Sequence, residues 1–138
     1  MLDRVAKLWS VKALKGQGTI PVIKNVFHLT YAENTGAAFS ILSGHRWLLV
    51  SVAAITTLAI LYALWSRMYE HPLTDVAFSL LAGGAVGNLW DRITLGYVVD
   101  LFDFRLINFA IFNVADVAIN IGAGLIIFYV IISAKNGH

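Results

Sequence analysis

Trp47 to Ser66 is a run of twenty residues without Asp, Glu, Lys or Arg. Wound as a helix at about 1.5 Å per residue, such a run crosses the roughly 30 Å hydrocarbon core of a bilayer. Two shorter uncharged runs follow: Val76 to Trp90 between Asp75 and Asp91, and Val117 to Ala134 between Asp116 and Lys135. Both span if their ends reach the interface. With 59% hydrophobic and 13% charged residues, against roughly 25% charged in soluble domains, the chain is built for lipid rather than water. It has no cysteine, which excludes disulfides, a thiolate nucleophile and a cysteine-ligated metal. A net charge of +2 does not point to nucleic acid, and the cations beside the apolar runs suit anionic lipid headgroups.

Residues 2–14 suit a short basic helix ending before Gly16 and Gly18. Asp3, Arg4, Lys7, Lys12, Lys15 and Lys24 interrupt the first thirty residues, so no cleavable signal peptide is expected there. From Thr19 to Leu42 the β-formers Ile20, Val22, Val26, Phe27 and Tyr31, punctuated by Pro21 and Asn25, predict a small extramembrane β element, set at 19–45. The first span is predicted over 46–66, with Trp47 and Trp65 as interfacial anchors. His71 and Pro72 stop one helix, and Thr74 or Asp75 caps the next, predicted over 74–91. Gly83 and Gly87 make a small-xxx-small face on that helix. Residues 93–111 read as a loop region, and the last helix is predicted over 113–134. The fold class is mainly α, in one domain over 1–138.

Antiparallel spans place the segment before the first, the end of the second and the start of the third on one side of the membrane. Asn34, Asn88, Asp91, Arg92, Asp100, Asp103, Asn113 and Asp116 all fall on it. Asp116 opens an otherwise uncharged helix, where an ionisable residue is expensive enough to suggest function. Asn113-Val114-Ala115-Asp116 also reads as a capping box, and the two roles can coexist. Asp100 lies in hydrophobic sequence, as a loop or cap residue or as an acid. On one continuous helix Asp100 and Asp116 would be about 24 Å apart, so a shared site requires the chain to fold back, for which Asn108 is a plausible point. Two acids sharing a site hold one proton between them, so that one activates water while the other protonates the scissile amide. Asn88, Asp91 and Arg92 share a helix face. Arg92 either pairs with a carboxylate or snorkels to headgroups, or with Asn88 it binds substrate or orients a catalytic carboxylate. Asp103 and Arg105 read as solvated loop charges. His28, His45, His71 and His138 are too scattered for a shared metal site.

Four strings together resemble lipoprotein signal peptidase, the bacterial type II signal peptidase: Asn34-Thr35-Gly36-Ala37-Ala38-Phe39-Ser40, Gly87-Asn88-Leu89-Trp90-Asp91-Arg92, Gly96-Tyr97-Val98-Val99-Asp100 and Phe112-Asn113-Val114-Ala115-Asp116. The resemblance implies a catalytic dyad of Asp100 and Asp116, with Asn34, Asn88, Arg92 and Asn113 lining or shaping the pocket. It implies an intramembrane aspartic peptidase without metal or organic cofactor, cleaving diacylglyceryl-modified prolipoproteins on the N-terminal side of the lipidated cysteine. The protein is then expected as a multi-pass monomer of the bacterial inner membrane, in contact with membrane lipids and with its site toward the periplasm. In the family's four-helix frame, residues 1–15 read as the remnant of a first helix otherwise mostly absent. The architecture expected is an antiparallel transmembrane bundle of three full spans plus a stub of a fourth. The cations Arg4, Lys7, Lys12, Lys15, Lys24, Arg46, Arg92 and Arg105 lie on the site side, against Arg67 and Lys135 opposite. The positive-inside rule alone would therefore put the site in the cytoplasm. The competing readings are a non-enzymatic transporter subunit or assembly factor, whose polar cluster conducts ions or fixes packing, and an inactive truncated peptidase.

Overall fold

A computed structural model describes all residues except 38–40, 68, 108 and 136–138. Ala38, Phe39 and Ser40 of the first motif, Asn108 and His138 therefore lie outside the described residues. The chain runs α1 (Leu2–Ala13), β1 (Thr19–Ile23), β2 (Phe27–Asn34), α2 (Arg46–Trp65), α3 (Pro72–Thr94), β3 (Val98–Phe104), a single 3₁₀ turn (Arg105–Ile107) and α4 (Val114–Lys135).

α2 and α4 are long and apolar enough to cross a membrane, and only 11% and 6% of their most apolar windows are buried. Core helices of a soluble domain would be covered. Here Ile55, Leu58, Ile127, Phe128 and Ile131 stand more than half exposed, which hydrocarbon tolerates and water does not. α3 has 23 residues and lies between the other two, packed along both.

Small residues set that packing, because van der Waals contact rather than the hydrophobic effect holds helices together in lipid. A Cβ on Gly84 would lie 2.5 Å from the Ala115 carbonyl oxygen, and one on Gly122 would lie 2.7 Å from that of Ala77. The close approach of α3 to α4 thus falls on Gly84. Gly83, paired with Gly87 on sequence spacing, faces open space. Gly87 does meet a neighbour, the Asp3 carboxylate, 2.9 Å from its hypothetical Cβ.

α3 starts at Pro72, earlier than Thr74 or Asp75 would set it. His71 is its N-cap, the ring Nδ1 accepting from Leu73 N at 3.1 Å, and proline fits the first turn because its missing N–H has no partner there anyway. Thr74 instead donates its hydroxyl to the His71 carbonyl at 2.7 Å. At the other end Arg46 caps the helix, donating to the carbonyls of Arg92 at 3.2 Å and Ile93 at 2.8 Å, where a cation meets the negative end of the helix dipole.

The stretch 93–111 is not simply a loop. Val98–Phe104 forms β3, antiparallel to β2 with Phe27 opposite Phe104 and Asn34 opposite Val98, in a sheet of order β1-β2-β3. β-branched and aromatic residues favour this strand, and Val98, Val99 and Leu101 are buried in it. Pro21 sits in the edge strand β1, at a register shift, where a missing N–H is tolerated. Beyond the 3₁₀ turn the chain doubles back so that Phe112 bridges Phe102. That return brings the start of α4 beside Asp100.

Candidate active site

The capping box at the start of α4 forms in full. Asp116 N donates to Asn113 Oδ1 at 2.9 Å, and Asn113 N donates to Asp116 Oδ2 at 3.1 Å. Only one carboxylate oxygen is used in this way. Oδ1 accepts from Asn88 Nδ2 at 2.8 Å, so capping and a role in a polar site occupy different oxygens of one side chain.

Asn113, wholly buried, joins the two acids. Its Nδ2 donates to Asp100 Oδ1 at 2.7 Å and also approaches Asn88 Oδ1 at 3.2 Å. Asp100, 2% exposed on β3, has its pKa raised to about 7, first by burial and then by the charge of Asp116. Hydrogen bonds from Asn113 and Asn34 and the charge of Lys7 pull weakly the other way. A carboxyl in this range can hold or release a proton near neutrality.

Asn34, at the end of β2, accepts from Gly36 N at 2.9 Å and shapes the turn that follows. Arg92 reaches across to the carbonyl of Gly36 at 3.0 Å, so it contacts backbone carbonyls on both sides of the site, Asn88 O being the other at 3.5 Å. Asn34, Asn88, Arg92, Asp100 and Asp116 line one cavity of about 300 Å³, walled on its apolar side by Phe109, Ile111 and Phe112. Asn113 lies behind that surface. A second, mostly apolar groove of about 270 Å³, between α2 and α3, shares Asn88, Arg92 and Ile119 with the first.

The structure adds residues that sequence reasoning left outside the site. Lys7 is 1% exposed. Its ammonium lies 2.9 Å from Asp3 Oδ2, 2.9 Å from Asp91 Oδ2 and 3.0 Å from Asn88 Oδ1. Asp3 in turn accepts from Ala115 N, in the first turn of α4, at 2.9 Å. The Asp3–Lys7 spacing of four residues was the available sequence signal. Asp103, read as a solvated loop charge, is buried and accepts from Thr30 Oγ1 and Arg105 Nε, both at 2.8 Å. Three residues from Asp100 along a strand, it faces the other side of the sheet. His28 lies in β2 opposite Asp103, while His45 and His71 precede α2 and α3. Among the described residues no group of three His, Asp or Glu is placed to hold a metal ion.

Apolar, uncovered helices that gather a buried carboxylate, a half-buried second one and their amides under a small sheet at one end define a membrane protein with a polar site near the ends of its spans. More narrowly, the chain belongs to the signal peptidase II family, a family of proteases: the model described as Signal peptidase (SPase) II matches residues 1–132. It is 45% identical over 130 residues to a lipoprotein signal peptidase of Clostridioides difficile, covering 94% of this chain and 87% of that one. It is 43% identical over 137 residues to one of Brevibacillus brevis, covering 99% and 92%. A solved structure described as a bacterial membrane enzyme, obtained by the in meso method at 2.3 Å resolution, superposes with a TM-score of 0.91 at 33% identity, over 99% of this chain and 85% of that one.

Proposed function

We propose that this chain removes signal peptides from diacylglyceryl-modified prolipoproteins as an aspartic endopeptidase, cleaving on the N-terminal side of the lipidated cysteine with Asp100 and Asp116 as the catalytic pair. The observation that carries the reading is Asn113, whose side-chain amide bonds Asp100 and whose backbone N–H bonds Asp116 where the two carboxylates line one cavity. Two acids so close favour a single shared proton. One carboxylate takes a proton from water as it attacks the scissile carbonyl, and the protonated partner gives its proton to the leaving amine. The pair finishes with one proton, as it began.

Asn34, Asn88 and Arg92 complete the polar wall and orient the peptide. The apolar groove between α2 and α3 opens onto the same residues, surroundings that accept an acyl chain while its peptide reaches the acids. The protein works as a monomer, with α2, α3 and α4 as antiparallel spans of the bacterial inner membrane. α3, about 34 Å long as a helix, matches the hydrocarbon core despite the charges at its ends. Membership of the signal peptidase II family favours this enzyme reading over a transporter subunit or assembly factor.

The test is processing in cells that lack the activity. Supplied with Asp100→Asn or Asp116→Asn protein at wild-type abundance, they should accumulate uncleaved lipidated prolipoprotein. Normal processing by either variant overturns the dyad.

A further inference from the structure

Lys7 makes three polar contacts from a nearly sealed position, and one goes to an amide that itself touches a catalytic candidate. A buried ammonium with two carboxylates would by itself be a brace between α1 and α3. The contact with Asn88 does something else. Lysine only donates, so Asn88 must turn Oδ1 toward Lys7, and its Nδ2 must then face Asp116. The reversed amide would set an oxygen against the Asp116 carboxylate and a donor against the ammonium. Asn113 Nδ2 leans on the same Asn88 oxygen while it bonds Asp100. Both acids therefore connect to one ammonium through side-chain amides.

We propose that Lys7 is a positioning residue for the carboxylate pair: acting through Asn88, it holds the Asp116 carboxylate in its reacting orientation and supplies buried positive charge beside the pair. The inference rests on the dyad reading given above. The charged groups around Lys7 are Asp3 and Arg4 on α1, Asp91 and Arg92 on α3, Asp100 on β3 and Asp116 on α4. Asp3 and Asp91 take up part of its charge. The remainder acts on the acids, and the charge of Lys7 does oppose the upward shift of Asp100.

The test is the pH profile of cleavage of a synthetic diacylglyceryl-cysteine signal peptide by full-length protein in detergent, expressed per folded molecule. In Lys7→Met, kcat should fall about tenfold or more with KM little changed, and both limbs of the profile should move upward by about half a unit, because loss of a cation favours protonated acids. Lys7→Arg should return the limbs to their wild-type positions. Arg4→Met, which removes a half-exposed cation that reaches Asp91 but not Asn88, should leave them in place. A brace alone would lower the folded fraction and move neither limb, so Lys7→Met protein with wild-type kcat and limbs overturns the proposal. If that variant does not fold, Lys7→Met/Asp91→Asn removes the ion pair without changing net charge. Its kcat should still fall about tenfold, and a wild-type kcat overturns the proposal equally. Should Asp100→Asn or Asp116→Asn still cleave, the dyad reading fails. Should they be inactive while Lys7→Met is normal, only the role of Lys7 fails.

Discussion

At the scale of single residues, Asp100 ties chemistry to stability in opposite directions. Its ordinary value is 3.8 and its value in the fold is about 7. Between those values the folded chain holds a proton that the unfolded chain has lost, so stability falls as pH rises through the window and levels off above about 7. Asp100→Asn keeps an oxygen for Asn113 and cannot ionise. Its Tm in detergent should exceed the wild-type value at pH 8, with the gap closing toward pH 4, while cleavage is lost throughout. An equal difference at pH 4 and pH 8 would show that ionisation of Asp100 does not cost stability. Asp116 was legible as a cap and as a candidate site residue, and the structure puts the capping bond on one oxygen and the Asn88 bond on the other. Lys7 was not legible as part of the site. A lysine beside apolar sequence reads as an interfacial cation, and Asn88, which gives it a further role, lies 81 residues along the chain.

At the scale of elements, absence of charge makes α2 visible from sequence, since little but a bilayer tolerates twenty such residues in a row. β3 was hidden because Asp100 and Asp103, three apart, fall on opposite faces and blur any alternation, and its pairing partner β2 is distant in sequence. The β-bulge between Leu29 and Ala32 blurs the pattern further. Glycines show the same limit of sequence reading: spacing finds the packing helix but not which glycine touches. Gly84→Ala should lower stability by about 1–3 kcal/mol, since its Cβ meets a backbone oxygen that cannot swing aside. Ala115 adjoins Asp116, so cleavage should fall with it. Gly83→Ala, into open space, should be neutral or stabilising by about 0.5–1 kcal/mol. Thermal unfolding of the two variants in one detergent decides the point, and equal losses would refute the Gly84 contact.

For the whole molecule, two uses of one rule give opposite orientations of the bundle. Cations around the site end would hold it in the cytoplasm. The substrate says otherwise, because a signal peptide keeps its basic n-region in the cytoplasm and presents its cleavage site at the far end of the apolar stretch. A peptidase must meet that bond where it emerges, so the proposed function predicts the cavity containing Asp100 and Asp116 at the outer face. The structure shows where several of the opposing cations go. Lys7 is buried against Asp3 and Asp91, Lys15 pairs with Glu33, Arg105 with Asp103, and Arg46 and Arg92 bond to carbonyls. Their positions therefore have a structural reason that is independent of the charge rule. α4 starts at the site and runs away from it, so its last turn, with Lys135, lies at the opposite face. A fluorescent reporter joined to the C-terminus should fold and shine in the cytoplasm, while an alkaline phosphatase joined there should be inactive. The reverse pair of results, in cells where the fusion still processes lipoprotein, would turn the bundle over and require a substrate whose cleavage site lies inside.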